Sequence, residues 1–223
     1  KLADNIPAGN YVLYCDITYS DGDSTETVTE KFTFTYKECA HENGYSDGKC
    51  TNCGALCDHS NIDIDTGKCN ECEYQYAAVI VKDGAVASFY KDTEMGAAFE
   101  AADSDANTGC TLRVYKNYTG SYKTLSGKFT LWIAEEANVG ALTVSGDITV
   151  TGSKKNNSIY GDFNVADGGK LTFDENCGAK GTVSVGAGTF DCYCSIGITL
   201  NINDASSDVI LHGGSFRKIC YNG

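Results

Sequence analysis

The chain has 223 residues, 30 acidic against 17 basic, for a formal net charge of −13 at pH 7, and its basic side chains include just two arginines, Arg113 and Arg217. Without clustered positive charge it is not built to hold a phosphate backbone or an anionic membrane, so neither a nucleic-acid partner nor membrane insertion is expected. No apolar run approaches the ~20 residues that span a bilayer, and Lys1 does not open a signal peptide, so any export signal or anchor is expected outside these residues.

In chain order, residues 10–37 read as one β-hairpin. Tyr11, Leu13, Cys15, Ile17 and Tyr19 alternate, Ser20-Asp21-Gly22-Asp23-Ser24 turns the chain, and residues 28–36 alternate again. Two strands alone are marginal in water. The phrases Ile6-Pro7-Ala8-Gly9-Asn10-Tyr11, Ile17-Thr18-Tyr19-Ser20-Asp21-Gly22 and Phe32-Thr33-Phe34-Thr35 resemble the last two strands of a bacterial immunoglobulin-like domain. That resemblance implies a domain (1–37) whose earlier strands are missing or lie outside this chain.

Residues 38–76 write one ligand pattern twice: Cys39-x-His41, eight residues, Cys50-x2-Cys53, then Cys57-x-His59, nine residues, Cys69-x2-Cys72. Gly48-Lys49-Cys50 recurs as Gly67-Lys68-Cys69. Three thiols and one imidazole per repeat suit Zn²⁺, which closes a tetrahedral shell of four soft or borderline donors in structural sites. Sequential sites (Cys39, His41, Cys50, Cys53 and Cys57, His59, Cys69, Cys72) are favoured over a cross-brace joining the two Cys-x-His halves, because a duplicated unit should fold alone. Disulfides would not require the histidines to repeat with the thiols. Four good ligands leave no open position for water, so two structural zinc ions are expected. Gly54 follows the first Cys-x2-Cys pair as a knuckle glycine would, whereas Glu73 follows the second. The sizeable apolar side chains between positions 38 and 73 are Tyr45, Leu56, Ile62 and Ile64, too few to offset backbone ordering at roughly 1–2 kcal/mol per residue.

Beyond the metal repeats, residues 77–81 and 86–89 look like strands, and residues 93–103 carry Met95, Ala98, Phe99 and Ala102 at helical spacing. From Thr111 onward nine short β runs follow, between glycine and Asn/Asp turns: 112–115, 129–133, 142–144, 148–150, 163–165, 171–173, 183–185, 198–200 and 209–211. They fit a sandwich or a parallel β-helix. Leu211-His212-Gly213-Gly214-Ser215-Phe216, echoed by Gly186-Ala187-Gly188-Thr189-Phe190, reads as a repeated coil corner. Residues 77–223 resemble the right-handed parallel β-helix regions of surface proteins from gut Gram-positive bacteria, which implies that the 93–103 helix caps the first coil. Such proteins also carry tandem Cys-x-His…Cys-x2-Cys-Gly units between domains.

The expected fold class is therefore mainly β: hairpin 1–37, zinc module 38–76 and β-helix 77–223. The resemblance implies an extracellular or cell-surface multidomain protein of such a bacterium, here a non-catalytic, adhesion-type module. Its zinc would rigidify the junction between β domains, and its partner would be a host or cell-wall glycan or protein. The alternative is a carbohydrate-active enzyme, a polysaccharide lyase or glycosidase, drawing on Asp162, Asp167, Asp174, Asp191, Lys170, His212 or Arg217. Asp162 and Asp167 beside glycine read more simply as turn formers. The remaining cysteines, Cys15, Cys110, Cys177, Cys192, Cys194 and Cys220, read as buried apolar thiols.

Overall fold

The computed structural model describes residues 9–20, 22–36, 45–46, 49–50, 57, 59, 61–120, 124–135, 137–152, 158–194, 197–213 and 215–223. The chain forms two compact units, Lys1–Cys57 and Asp58–Gly223. Their seam falls inside the expected zinc module, so all but Cys57 of the second repeat belongs to the unit that carries the β-helix.

In the first unit, β1 (Gly9–Ser20) and β2 (Thr25–Tyr36) form an antiparallel hairpin, with Tyr11 opposite Phe34, Leu13 opposite Phe32 and Ile17 opposite Val28. That register gathers one apolar face. The other face is polar, with Thr29 Oγ1 donating to Asp16 Oδ1 at 2.6 Å and Thr35 Oγ1 to Asn10 Oδ1 at 2.7 Å. Two residue pairs of β3 (Tyr45–Ser46) and β4 (Lys49–Cys50) make a second, much shorter hairpin.

The second unit opens with another short hairpin, β5 (Ile62–Asp63) against β6 (Lys68–Cys69). β7 (Ala78–Lys82) and β8 (Ala85–Tyr90) follow, joined by Asp83-Gly84 with both residues at positive φ, the two-residue turn that matches strand twist. Then α1 (Met95–Ala102) buries Met95, Ala98, Phe99 and Ala102 on one stripe, with the Phe99 ring 4.6 Å from that of Tyr118. Just past α1, the Asp103 carboxylate accepts from the backbone N–H groups of Ser126 (2.7 Å) and Gly127 (2.6 Å). The helix is thereby tied to the first turn of the coils and covers their apolar end, as expected.

The coils follow in pairs of strands: β9 (Thr111–Val114) with β10 (Thr124–Leu125), and β11 (Lys128–Ile133) with β12 (Asn138–Val144). β13 (Asp147–Gly152) pairs with β14 (Ser158–Val165), and β15 (Lys170–Phe173) with the short β16 (Gly178–Lys180) and β17 (Thr182–Val185). β18 (Thr189–Cys192) with β19 (Thr199–Ile202) and β20 (Asp208–Leu211) with β21 (Lys218–Tyr221) complete about five turns. The first strand of each pair joins one parallel sheet and the second joins another; β7 pairs antiparallel with β9, and β8 forms the edge beyond it. This is the parallel β-helix, and it excludes the sandwich.

Register stacks like on like. Leu112, Leu131, Val150, Phe173 and Cys192 form one inward row, and Leu142, Phe163, Val183 and Leu200 a row on the other sheet; Leu211 and Ile219 continue the two rows in register but are exposed on the last coil. Phe163, Phe173 and Phe190 meet edge to face, with centroids 5.4 and 5.3 Å apart. Outward on the first sheet, Thr111, Thr130, Thr149, Thr172, Asp191 and Ile210 share a row whose step is 19 residues, except for 23 between Thr149 and Thr172. Two expectations need correction. Gly188 turns the chain, but Thr189 and Phe190 belong to β18, with Phe190 in the core rather than at a corner. Cys15 is exposed and Cys220 half-buried, so the buried-thiol reading holds only for Cys110, Cys177, Cys192 and Cys194. Among the described residues no helix is long and apolar enough to cross a membrane.

Candidate metal centre

Cys57, His59, Cys69 and Cys72 offer four ligand atoms that all lie within 4.8 Å of one another. His59 turns Nδ1 towards Cys72 Sγ at 3.3 Å. A tetrahedral ion at the usual Zn–S and Zn–N lengths holds its donors about 3.4–3.8 Å apart, so the donor types suit zinc and their atoms lie within about 1 Å of that spacing. These four are the sequential set, not a cross-brace. Of the other set, Cys39, His41 and Cys53 lie outside the described residues, and Cys50 is described by its backbone alone, opposite Tyr45. The local grammar nevertheless repeats. In both copies a two-pair hairpin ends on the first cysteine of Cys-x2-Cys, Cys50 facing Tyr45 and Cys69 facing Ile62.

Backbone geometry explains how so short a segment presents its ligands. Gly67 N–H donates to Asp63 O at 2.7 Å and closes the β5–β6 turn; Glu73 N–H returns to Cys69 O at 2.8 Å, and Cys69 N–H donates to Tyr74 O at 3.0 Å, wrapping the chain around the Cys-x2-Cys pair. Glu73 sits at φ 58°, a left-handed conformation that glycine adopts without strain. In the second repeat the position after the Cys-x2-Cys pair therefore takes a backbone that glycine suits best, and Glu73 meets it at a cost. His59, also at φ 55°, is wedged among aromatic rings, 5.6 Å from Tyr74 and 5.4 Å from Tyr76. Cys57 and Cys69 are buried, whereas His59 and Cys72 are partly exposed.

The repeat is bolted to the coils. Arg113, on the outward face of β9, donates to Ile64 O and reaches Asp65 Oδ1 at 3.0 Å, while its guanidinium lies 4.5 Å over the Trp132 ring on the next coil. Tyr115 Oη donates to the same Ile64 carbonyl. Burial pushes the Tyr115 phenol up to about 12, which keeps it a donor at any ordinary pH. A Cβ at Gly67 would come within 2.5 Å of the Tyr115 ring, so this tight seat also fixes the identity of Gly67. Nothing in the ligand spacing pointed to Arg113, Tyr115 or Trp132. The signal available was one of the chain's two arginines placed one coil before its single tryptophan.

The residues weighed for catalysis do not converge. Asp162 Oδ1 accepts from Thr182 N–H at 2.7 Å and Asp167 Oδ1 from Ala187 N–H at 3.2 Å, ties from one coil to the next. Asp174 Oδ1 accepts from Asn176 N–H at 2.9 Å in a corner turn. These three act as turn and coil formers. Arg217 is exposed beside β21. Lys170, Asp191 and His212 do share the outer side of the first sheet, where His212 Nε2 lies 2.9 Å from Asp191 Oδ1 and its ring stacks on Tyr193 at 3.9 Å. A shallow groove of about 390 Å³ runs there past Lys128, Thr130, Asp147, Lys170, Thr172, Asp191 and Tyr193. Asp162 faces outward on the other sheet, away from Asp191. Comparison of the chain with protein-family models, curated proteins and solved structures gave no match.

Proposed function

We propose that the chain is a non-catalytic, extracellular surface module in which zinc, held by the two Cys/His repeats, stiffens the segment leading into a β-helix whose outer face presents a site for a glycan or a protein. The observation that carries this reading is the gathering of Cys57, His59, Cys69 and Cys72 in a segment that Arg113 and Tyr115 anchor to the first coil. Three thiolates and one imidazole close the shell of a zinc ion and leave no place for a reactive water, so the metal orders chain and does no chemistry. The second ion rests on the repeated ligand pattern at Cys39, His41, Cys50 and Cys53. The ligand-presenting side is the groove past Lys170, Thr172 and Asp191, where hydroxyl, ammonium and carboxylate groups recur at the spacing of successive coils.

Metal analysis of the purified chain is expected to return two zinc ions per molecule, and a glycan array with a parallel reducing-sugar assay is expected to give binding without cleavage. An absence of metal would end the zinc reading. Polysaccharide turnover that disappears in Asp191→Asn would replace the surface module by the enzyme.

A further inference from the structure

Two rows of side chains cross the outer face of the first sheet from coil to coil. Lys128, Asp147 and Lys170 stand in register in one, and Thr130, Thr149, Thr172 and Asp191 in the other. Their charges are matched locally, with one exception. Lys128 Nζ lies 3.1 Å from Asp147 Oδ2. The Asp191 carboxylate, 15 % exposed, has His212 Nε2 at 2.9 Å from Oδ1 and accepts from Tyr193 Oη on Oδ2 at 3.3 Å. Lys170 is exposed, and among the described residues its ammonium has neither an ion pair nor a hydrogen bond. Further along, His212 lies flat on one face of the Tyr193 ring, 7° from parallel, while Tyr193 keeps 48 % of its surface exposed. Lys170 and Tyr193 both line the groove of about 390 Å³.

We propose that this groove takes an acidic oligosaccharide, one whose rings carry carboxylates, with the Lys170 ammonium pairing with a sugar carboxylate and Tyr193 carrying the face of a ring further along. The proposal rests on the reading above that this side of the β-helix presents a glycan. Lys128 with Asp147 and His212 with Asp191 satisfy one another, so Lys170 holds the charge left to meet a ligand. A neutral sugar would leave that ammonium to water, whereas a carboxylate gives it a charge-assisted hydrogen bond, roughly twice as strong as a neutral one. The hydroxyls of Thr149 and Thr172 beside it both donate and accept, as sugar hydroxyls require. The Tyr193 ring offers the apolar C–H face of a pyranose a flat surface, and little freedom is lost on binding because His212 and Asp191 already hold it. Length follows from register. Thr189 is level with Lys170, and Tyr193 lies four residues beyond it, so at about 3.3 Å per residue the two positions are about 13 Å apart along the strand. That exceeds one sugar ring and calls for an oligomer. Charge density is limited as well. A chain of net charge −13 repels a densely sulfated polyanion and has no basic cluster to hold one, while a lone ammonium suits sparse carboxylates.

The test is calorimetric titration of the full chain, folded with zinc present, against uronate tetrasaccharides from polygalacturonate, alginate and hyaluronan, each paired with the same sugar after reduction of its carboxyl groups to alcohols. At least one uronate is expected to bind about tenfold or more tightly than its reduced partner, the worth of one hydrogen bond to a charged group. Lys170→Ala should abolish that preference, Lys170→Arg should keep it, and Tyr193→Ala should weaken acid and reduced sugar alike. All three variants should melt with the parent, because both side chains are exposed. Equal affinity for acid and reduced sugars, or a preference that survives in Lys170→Ala, would overturn the proposal and leave the groove a site for neutral glycans. If no uronate binds, the proposal also falls, and the glycan array then separates the two readings: binding of a neutral glycan keeps the glycan-presenting face, and an empty array removes it too.

Discussion

The metal repeat around Cys69 and the coils that follow it order similar lengths of chain by opposite means. Each coil drives several apolar side chains into a shared interior, where every layer touches the next; the repeat has Ile62 and Ile64 and, on the proposed zinc reading, relies on four donor atoms within 4.8 Å. On that reading stabilisation is spread over the coils and concentrated in the repeat. One lost side chain should weaken the coils in part, whereas one lost ligand should undo the repeat altogether.

Chelation tests that contrast most severely. A structural zinc ion contributes on the order of 10–16 kcal/mol, so EDTA should strip hydrogen-exchange protection from residues 61–76 while the amides of β11 to β19 keep theirs; simultaneous loss in both regions would erase the distinction. Lowering the pH should release the metal in the same way, since thiolate and imidazole must be deprotonated to bind. Next in size is Phe173→Ala, which empties the centre of the aromatic stack. We expect a loss of about 3–5 kcal/mol in urea unfolding with metal content unchanged.

The grouping of Cys57, His59, Cys69 and Cys72 was legible in the sequence because metal chemistry admits few residue types and the pattern is written twice. The strands were legible as alternation at 129–133 and 183–185, a pattern a sandwich would share, but the 19-residue step that marks a β-helix was not. Thr111, Thr130, Thr149, Thr172 and Asp191 mark it, and the longer interval after Thr149, together with the change from Thr to Asp, hides it from a search for strict repeats. β10, β16 and β21 escaped because two to four residues of strand, half of them polar, are defined by neighbouring coils and not by their own propensity. The role of Arg113 had no local signal, since the carbonyl it serves lies 49 residues away in sequence.

Two smaller effects sharpen the comparison inside the repeat itself. Gly67→Ala places a methyl group against the Tyr115 ring at φ 69° and should cost more than about 1 kcal/mol, read as weaker protection of the β5–β6 amides. Glu73→Gly should act in the other direction, relieving the left-handed backbone for a gain of about 0.5–1 kcal/mol and a slower loss of metal to a competing chelator.

The uneven spacing of the coils carries a lesson for engineering. Although four additional residues intervene between Thr149 and Thr172, Val150 still meets Phe173 and Ile148 still meets Leu171. Corners absorb length; strands do not, since a slip of one residue would turn every buried side chain to solvent. Loops carrying foreign epitopes should be accepted at such bends, and whole 19-residue segments should be deletable or duplicable, where a single-residue insertion within β15 would scramble the interior.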